Sequence, residues 1–430
     1  MHLARRAYVL VMLAAVLAII GVWYGGDLAG LWRIPAVLLL IGLAAEGALV
    51  RRSQPSVRIE LAERSFLGRP QPAVFVFGNP GARELALEYA PATPAGFEVL
   101  TQVRRVSAPP HAEVSDPVLL LPVRLGPQSW PLLPARRLGA FSLAWWSLAL
   151  RPKREVLVAP DAWRGQVRPR GMAGGARPRR VVGAGAELHQ LREYVRGDSF
   201  TRIDWKATAR SGGLITREYS EDQHLDILVA VDAGRLSRVR SGVLDRFGVY
   251  SNVAARFAEI VTQRDDRIGL LVYADRVLAS CPPARGLAAV TRVRGALERL
   301  SVQGAESDPT VAAISIRSLL KHRSLVVLLT DLDDANVADQ LTRAVRLLAP
   351  PHLVLVAGVL SGEIGALAQQ TARDWQDPWI AIAAAEHEGR AAQQRALLQR
   401  LGAPVVAVPA ERLEQALIAR YEALRRRRRI

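Results

Sequence analysis

The run DILVAV at residues 226–231 decides the fold of the C-terminal half of this chain. Its residues after the first are all apolar, without the alternation of a half-exposed strand. A strand of this kind is buried on both faces, as in a parallel sheet covered by helices. Similar runs follow at residues 267–273 (RIGLLVY), 325–330 (LVVLLT), 353–359 (LVLVAGV) and 405–408 (VVAV). We expect all of these runs to be strands of one sheet.

Segments with helical periodicity lie between and after these runs, at residues 244–264, 287–300, 311–321 and 411–425. The alternation of strand and helix predicts a doubly wound α/β domain, with helices on both faces of a parallel sheet. Ligands of such sheets bind at the carboxyl ends of the strands. Candidate ligand-binding residues are therefore sought where each apolar run ends.

A dense charged segment precedes the first strand: residues 185–219 read GAELHQLREYVRGDSFTRIDWKATARSGGLITREY. We interpret residues 196–198 as a turn, Ser199 as a helix cap, residues 202–209 as a short helix and the glycines at 212–213 as its stop before a strand. The candidate functional residues of this segment are basic, acidic and aromatic, with one glycine: Arg192, Tyr194, Gly197, Asp198, Arg202, Asp204, Trp205, Lys206, Arg210, Arg217 and Glu218.

The order LREY, GD, RIDWK, AR and REY within this segment resembles the signature of the family numbered fifty-eight among the domains of unknown function. The resemblance implies an N-terminal membrane hairpin, a β-rich region, this signature and a C-terminal half like a von Willebrand factor A domain. It also implies a partner, because members of that family often accompany MoxR-type AAA+ ATPases.

Two interpretations of the signature stay open at this point. Trp205 and Tyr194, flanked by arginines that can contact carboxylates in bidentate fashion, have the composition of an interface hot spot. Alternatively, Arg202, Asp204 and Trp205 lock the segment against the sheet. Removing an interface residue leaves the domain folded, whereas removing a core residue does not.

Two acidic residues follow predicted strands and form a candidate metal site. Asp232 ends the first strand, and Asp331 follows Thr330 at the end of the LVVLLT run. Mg²⁺ takes oxygen ligands, and the metal-ion-dependent adhesion site of von Willebrand factor A-like domains resembles Asp-x-Ser-x-Ser. Here Gly234 and Leu236 replace both serines.

Arg235 also adds a positive charge, which opposes cation binding. We therefore expect a degenerate site that serves structure, with no resident cofactor. Asp333 and Asp334 either add carboxylates or belong to a polar loop.

The N-terminus carries two apolar runs, at residues 7–26 and 28–50. Each is long enough to cross a hydrocarbon core of about 30 Å, and the second contains only Arg33 and Glu46 as charged residues, which we expect to reach the interface. Basic pairs precede the first run and follow the second, so the positive-inside rule places both ends in the cytoplasm. The competing interpretation of the first run is a cleaved signal peptide.

Residues 55–160 contain short alternating runs separated by proline and glycine, which predict an immunoglobulin-like antiparallel β-sandwich. Residues 161–186 form an Arg/Gly-rich linker before the signature at 187–219, and we assign residues 220–430 to the α/β domain. No Gly-Lys pair occurs in the chain, which excludes a Walker A loop. Any ATP chemistry therefore belongs to a partner.

The formal net charge of +17 is almost entirely due to arginine. No zinc-finger or ribonucleoprotein motif accompanies the charge, so we expect no specific nucleic-acid partner and favour a surface that faces anionic lipid. The arginine run at residues 425–429 either holds the tail to anionic lipid or is a solvated tail. Cys281 is the only cysteine, which excludes an intramolecular disulfide, and we interpret it as a loop residue.

These observations support three hypotheses. The first is a membrane-tethered, non-enzymatic adaptor that presents the signature to a protein partner. The second is a divalent-metal-dependent hydrolase that uses Asp232 and Asp331. The third is a binder of anionic lipid or nucleic acid through the arginine-rich segments, whose binding high salt would weaken.

Overall fold

The computed structural model describes residues 2–25, 30–100, 103–161, 181–183, 187–221, 224–332, 335–360 and 362–426. Contacts divide the chain into two compact units. The first unit comprises Met1–Asp161, Ala233–Asn252 and Arg294–Gly304, and the second comprises Ala162–Asp232, Val253–Val293 and Ala305–Ile430. The two units are described separately.

The first unit begins with a two-residue strand, β1 (His2–Leu3), and two apolar helices, α1 (Arg5–Tyr24) and α2 (Arg33–Arg52). Both helices have 20 residues and are candidate membrane spans by length and composition. The predicted apolar runs are thus confirmed as helices, with bounds shifted by a few residues. Residues 26–29, which include part of the predicted connecting turn, lie outside the described residues.

The structure corrects the position expected for Glu46. Its side chain is fully buried instead of reaching the interface, and its carboxylate accepts hydrogen bonds from residues 141–146. The sequence could not show this, because the donors lie about 100 residues further along the chain.

Eleven further strands fill residues 56–159 among the described part of this unit. They are β2 (Ser56–Glu60), β3 (Arg64–Phe66), β4 (Gln71–Gly78), β5 (Leu85–Tyr89), β6 (Phe97–Val99), β7 (Arg104–Ala108), β8 (Glu113–Pro122), β9 (Gly126–Ser129), β10 (Leu133–Leu138), β11 (Ala144–Leu150) and β12 (Glu155–Ala159).

These strands form three sheets with the orders β1-β11-β10-β5-β7, β2-β4-β8-β6 and β3-β12-β9. All pairs are antiparallel except β3 with β12. Alternate residues of β4 face the core, where Phe75 and Phe77 are fully buried against Tyr89. We call residues 55–160 the β region, and its immunoglobulin-like topology stays a prediction.

The remaining elements begin at residue 181. They are β13 (Val181–Gly183), β14 (Glu187–Glu193), α3 (Trp205–Ser211), β15 (Ile215–Glu221), β16 (Asp226–Asp232), β17 (Arg240–Ser241), β18 (Leu244–Asp245), α4 (Arg246–Gln263), β19 (Arg267–Tyr273), β20 (Val277–Ala284), α5 (Gly286–Leu297), α6 (Pro309–Leu319), β21 (Leu325–Leu329), α7 (Ala335–Leu348), β22 (Leu353–Val359), α8 (Gly362–Gln369), α9 (Asp377–Arg400), β23 (Val405–Val408) and α10 (Ala410–Arg426).

The second unit contains a six-stranded sheet with the order β20-β19-β16-β21-β22-β23. Its strands are parallel except β20, which pairs antiparallel with β19 at the edge. Leu228, Val326 and Val356 lie in a buried cluster with residues of α6, α7 and α9. All five predicted runs are therefore strands of one sheet.

Cys281 is not a loop residue, as the sequence suggested, but lies half-buried in β20. Two prolines follow it in this strand, and an edge strand tolerates proline because it lacks one neighbour. Burial raises the pKa of the Cys281 thiol, which makes it a poor nucleophile.

The predicted linker at residues 161–186 is only partly described. Residues 162–180 and 184–186 lie outside the described residues. Within that range, Val181–Gly183 forms strand β13 and pairs with β15. The C-terminal arginine run is described only as far as Arg426, within α10.

Candidate functional site

The signature forms a small sheet and one helix. Strands β13, β15 and β14 make a three-stranded antiparallel sheet in that order, and residues 194–214 connect β14 to β15. We call residues 187–221 together with β13 the signature subdomain. The sequence predicted the strand after residue 214 but not β14, because the charged LHQLRE run lacks the apolar alternation of a typical strand.

The first structural contact within the subdomain is a bidentate ion pair. Both terminal nitrogens of Arg192 donate to Asp198, with Nη1–Oδ2 and Nη2–Oδ1 distances of 2.8 Å. The Val195 N–H also donates to Oδ2 at 3.0 Å. The hydrogen bond from Arg192 is the largest cause of the lowered pKa of the Asp198 carboxyl, followed by that of Val195. This pair ties β14 to the turn that follows it.

Gly197 allows that turn. Its φ is +113°, a conformation that glycine adopts without the strain of a side chain. The predicted turn at residues 196–198 is therefore confirmed. A 3₁₀ turn follows at Phe200–Arg202, and the Ser199 side chain makes no capping bond to it.

A second structural contact begins helix α3. Asp204 is its N-cap and accepts hydrogen bonds from the backbone N–H groups of Lys206 and Ala207. Arg217 of β15 donates to the other carboxylate oxygen at 3.0 Å. The Arg217 bond is the largest cause of the lowered pKa of the Asp204 carboxyl.

The predicted helix at 202–209 is thus displaced, and runs from 205 to 211. Gly212 ends it in the left-handed conformation, as the sequence indicated.

Two aromatic side chains of the signature are more exposed than the carboxylates of its ion pairs. The side chain of Trp205 is 66% exposed and that of Phe200 is 71% exposed. Tyr194 is half-buried and stacks on Phe200, with ring centroids 5.8 Å apart. Of the three residues in the locking interpretation, Asp204 bonds to Arg217 of β15, whereas most of the surface of Trp205 contacts solvent. Both interpretations of the signature stay predictions.

Other side chains of the subdomain are also open to solvent. Leu191 and Val195 are exposed apolar residues that the sequence analysis did not select. Lys206 and Arg210 are exposed on α3, while Arg202 is half-buried. Glu218 pairs with Gln190 through the backbone of β15, and its side chain lies outside the described part.

The second candidate site lies at the carboxyl ends of β16 and β21. Asp232 is 2% exposed, and both of its carboxylate oxygens accept hydroxyl hydrogen bonds. Thr330 Oγ1 donates to Oδ2 at 2.7 Å, and Ser307 Oγ donates to Oδ1. The structure therefore brings Asp232 and Thr330 together, as predicted, and adds Ser307.

Sequence reasoning missed Ser307 because no strand ends there. It precedes Asp308, which caps α6 by accepting from the N–H groups of Thr310 and Val311. An Asp-Pro pair is a recognisable helix start, so the sequence indicated that a helix begins after Ser307. It did not indicate that the loop before this helix lies against Asp232.

The remaining candidates around Asp232 do not form a metal cluster in the part of the chain that the structure describes. Asp331, which follows Thr330 in the sequence, is buried. Asp333 and Asp334 lie outside the described residues. Among the described side chains, no three His, Cys, Asp or Glu residues group in a way that could hold a metal ion. The hydrogen bonds from Ser307 and Thr330 to Asp232 can serve structure without a metal.

These features define a multidomain chain with two candidate membrane spans, a β region, and an α/β sheet preceded by a small signature subdomain. Residues 190–370 match the model of the family described as "Protein of unknown function DUF58". The family resemblance inferred from the signature is therefore confirmed over this part of the chain.

Two uncharacterized mycobacterial proteins also match. The "Uncharacterized protein Rv1480" of Mycobacterium tuberculosis and the "Uncharacterized protein Mb1516" of Mycobacterium bovis are each 25% identical to this chain over 266 residues. The alignment covers 57% of this chain and 82% of each relative.

Two solved structures show weaker similarity. The conserved hypothetical protein BatB from Bacteroides thetaiotaomicron is 12% identical, with a TM-score of 0.30, over 46% of this chain and 99% of its own. Proximal thread matrix protein 1 from the mussel byssus is 12% identical, with a TM-score of 0.28, over 45% of this chain and 43% of its own. TM-scores this low do not establish a shared fold.

Proposed function

We propose that this protein is a membrane-tethered, non-enzymatic adaptor that presents the signature subdomain to a protein partner. Helices α1 and α2 cross the cytoplasmic membrane, and the basic residues at their outer ends keep both termini in the cytoplasm. The β region is an immunoglobulin-like spacer, and the α/β sheet is a von Willebrand factor A-like domain. The partner is a MoxR-type AAA+ ATPase, as the family resemblance implies.

The exposure of Trp205 is the observation that carries this proposal. A large aromatic side chain in water gains free energy when a partner buries it, and interface hot spots are enriched in tryptophan. The acidic residues around it, Asp198 and Asp204, are already engaged within the subdomain. The ion pairs therefore supply a rigid frame, and the aromatic residues supply the contact surface.

The charges next to Trp205 indicate the chemistry of the partner surface. Lys206 and Arg210 are exposed on the same short helix. An acidic surface on the ATPase would complement them, raise the association rate and make binding weaken with salt. The family resemblance selects the ATPase, and the charge pattern supports an acidic docking site on it.

A divalent-metal-dependent hydrolase that uses Asp232 and Asp331 is the second candidate. One observation favours it: the hydroxyl oxygens of Ser307 and Thr330 lie within hydrogen-bond reach of the Asp232 carboxylate, and Mg²⁺ prefers such oxygen ligands. The hydroxyl bonds already satisfy this buried carboxylate, however, which favours the adaptor.

Binding of the purified ATPase to the full-length protein in lipid nanodiscs tests the adaptor. We expect Trp205→Ala to weaken binding at least tenfold, because interface hot spots contribute about 2 kcal/mol or more. Trp375→Ala is the matched control, since Trp375 is 73% exposed but lies outside the signature. Equal binding by both variants, or no binding by the intact protein, would rule out the signature as the docking surface.

A further inference from the structure

The loop between β10 and β11 contacts the first turn of α1. The Ala4 N–H donates to the carbonyl of Leu143 at 2.7 Å, and Arg6 Nη1 donates to that of Phe141 at 3.3 Å. Strand β1, immediately before α1, pairs with β11. We call residues 139–146 the hairpin tip. The start of the first candidate span is thus hydrogen-bonded to the β region.

The same hairpin tip is held by Glu46 of α2. The Glu46 carboxylate accepts from the backbone N–H groups of Phe141, Leu143 and Ala144 at 2.7, 3.0 and 3.1 Å. It also accepts from the indole nitrogen of Trp146 at 3.3 Å. A carboxylate inside an apolar helix is costly unless its oxygens are satisfied, and here four donors satisfy them. Glu46 therefore fixes the tip to the helix.

Glycines on α2 let the tip approach closely. A Cβ atom at Gly42 would lie 2.5 Å from Leu143 Cδ1, and one at Gly47 would lie 2.9 Å from the ring of Trp146. The hairpin tip therefore packs along α2 from Gly42 to Gly47, and its contacts extend well before the last residue of the helix.

This packing places the tip within the length of the candidate span. Glu46 lies about 9 Å and Gly42 about 15 Å before Arg52, at 1.5 Å rise per residue. A span of 20 residues measures about 30 Å, the thickness of the hydrocarbon core. When α2 spans the bilayer, the tip lies along its C-terminal half, from the headgroup layer next to Arg52 towards the middle of the hydrocarbon core at Gly42.

The side chains around the tip are those of a membrane interface. Phe141 is 39% exposed, and the guanidinium of Arg83 lies over its ring, 5.4 Å from the ring centroid. The guanidinium of Arg136 lies over the ring of Trp145, 5.3 Å from the centroid. Aromatic rings with an adjacent cation suit the headgroup layer, where the ring enters the acyl boundary and the cation meets phosphate.

Further basic side chains lie at the start of α1, next to its contact with the hairpin tip. Arg5 and Arg6 are exposed at the start of α1, next to the residue that bonds to Leu143. Arginines close to an anionic bilayer each contribute about 1 kcal/mol of attraction. The Glu88 carboxylate neutralises the charge of Arg136, whereas Arg6 and Arg83 donate to the uncharged carbonyls of Phe141 and Ala140. Arg5, Arg6 and Arg83 are therefore the better headgroup ligands.

We propose that the hairpin tip is an interfacial membrane anchor, in which Phe141 enters the lipid and Arg5, Arg6 and Arg83 bind the phosphates of anionic phospholipids. The anchor rests on the membrane tether of the proposed function. It would hold the β region at a fixed height and tilt on the bilayer, where a flexible linker would let it rotate.

Depth-dependent quenching in reconstituted vesicles tests the anchor with the full-length chain. In a Cys281→Ala background, single cysteines at Phe141, Ala149 and Met12 carry an environment-sensitive fluorophore. Met12 is exposed in α1 and reports the tether. Ala149 is an exposed residue of β11 about 16 Å from Ala144 and is the matched control. Lipids bear spin labels either near the headgroup or deep in the acyl chain.

The expected result is quenching at Met12 and at Phe141 and none at Ala149. Quenching at Met12 without quenching at Phe141 would overturn the anchor while the tether stands. A lack of quenching at Met12 would overturn the tether and the anchor with it.

A second comparison tests the choice of lipid. Quenching at Phe141 should be stronger in vesicles containing phosphatidylglycerol than in phosphatidylcholine alone, and Arg83→Gln should reduce this difference. Equal quenching in both lipids, unaffected by Arg83→Gln, would overturn the headgroup contacts. High salt provides a check, because it should weaken the anionic preference and leave Met12 unchanged.

Discussion

The carboxylate of Asp204 joins helix α3 to strand β15 through Arg217. Its Oδ1 accepts from the N–H groups of Lys206 and Ala207, each at 3.0 Å, and its Oδ2 accepts from Arg217 Nε at 3.0 Å. One oxygen therefore begins the helix that carries Trp205, and the other fixes that helix to the sheet. The orientation of the exposed tryptophan therefore depends on the carboxylate of Asp204.

Two substitutions at Asp204 should separate the helix cap from the ion pair. Asn keeps the capping oxygen but loses the charge, so α3 should keep part of its protection against hydrogen exchange. Ala loses both contacts and should lose most of that protection. Hydrogen exchange of the amides of α3 measures this order, with intact protein above Asp204→Asn and Asp204→Ala lowest. Equal protection in the two variants would mean that the cap contributes nothing.

The ion pairs also predict how the signature subdomain responds to acid. Arg192 and Arg217 lower the pKa values of Asp198 and Asp204 in the folded state. The stability that these pairs contribute is fully present above the unfolded pKa of about 3.9 and is lost as the pH falls through the lower folded values. Protection of α3, corrected for intrinsic exchange, should therefore persist to below pH 4.

Arg217→Gln is the control for this pH dependence. It removes the largest cause of the lowered pKa of Asp204, so loss of protection should begin at a higher pH than in the intact protein. An unchanged acid transition in this variant would show that Asp204 does not set it.

The sheet of the second unit could be predicted from sequence because its strands are continuous apolar runs, which have few other uses in a soluble domain. Strands β14 and β20 were missed because one is charged and the other contains two prolines. Both lie at sheet edges, where a strand need not be apolar on two faces. The edge strand β23 was predicted, because it is an apolar run, so what hid β14 and β20 is their composition, which an edge position permits.

The candidate site was predictable in composition but not in role. The sequence selected Arg192, Asp198, Asp204 and Trp205 together, and only the structure separates the ion pairs from the exposed ring. The same limit applies to Ser307, which approaches Asp232 across 75 residues of chain. Side-chain partners at such separations follow from the tertiary fold and leave no local pattern.

Glu46 should be more important for stability than a surface carboxylate. In Glu46→Gln an amide replaces one carboxylate oxygen, and the N–H groups that this oxygen served lose their acceptor. Each buried donor left without a partner costs about 1 to 3 kcal/mol. We expect a lower free energy of unfolding in detergent, measured with denaturant.

Glu60→Gln is the matched control for Glu46→Gln, because the Glu60 side chain is 56% exposed in a surface ion pair with Arg58. Such pairs contribute at most about 1 kcal/mol. Gly139→Ala provides an independent test of the same contact. Its Cβ would collide with the Glu46 carboxylate, so this variant should also have a lower free energy of unfolding. Loss of stability in Glu60→Gln equal to that in Glu46→Gln would contradict a special role for Glu46.

Asp232 distinguishes the adaptor from the hydrolase. As a buried acceptor of two hydroxyl bonds, it should stabilise the second unit, so Asp232→Asn should lower the free energy of unfolding by about 1 to 3 kcal/mol. Asp339→Asn, at an exposed position of α7, should change it by less than about 0.5 kcal/mol.

Calorimetry of the intact protein with Mg²⁺ or Mn²⁺ should give no binding heat if the hydroxyl bonds to Asp232 are structural. Binding heat that disappears in Asp232→Asn and persists in Asp339→Asn would instead favour the hydrolase, since the cation would then need this carboxylate.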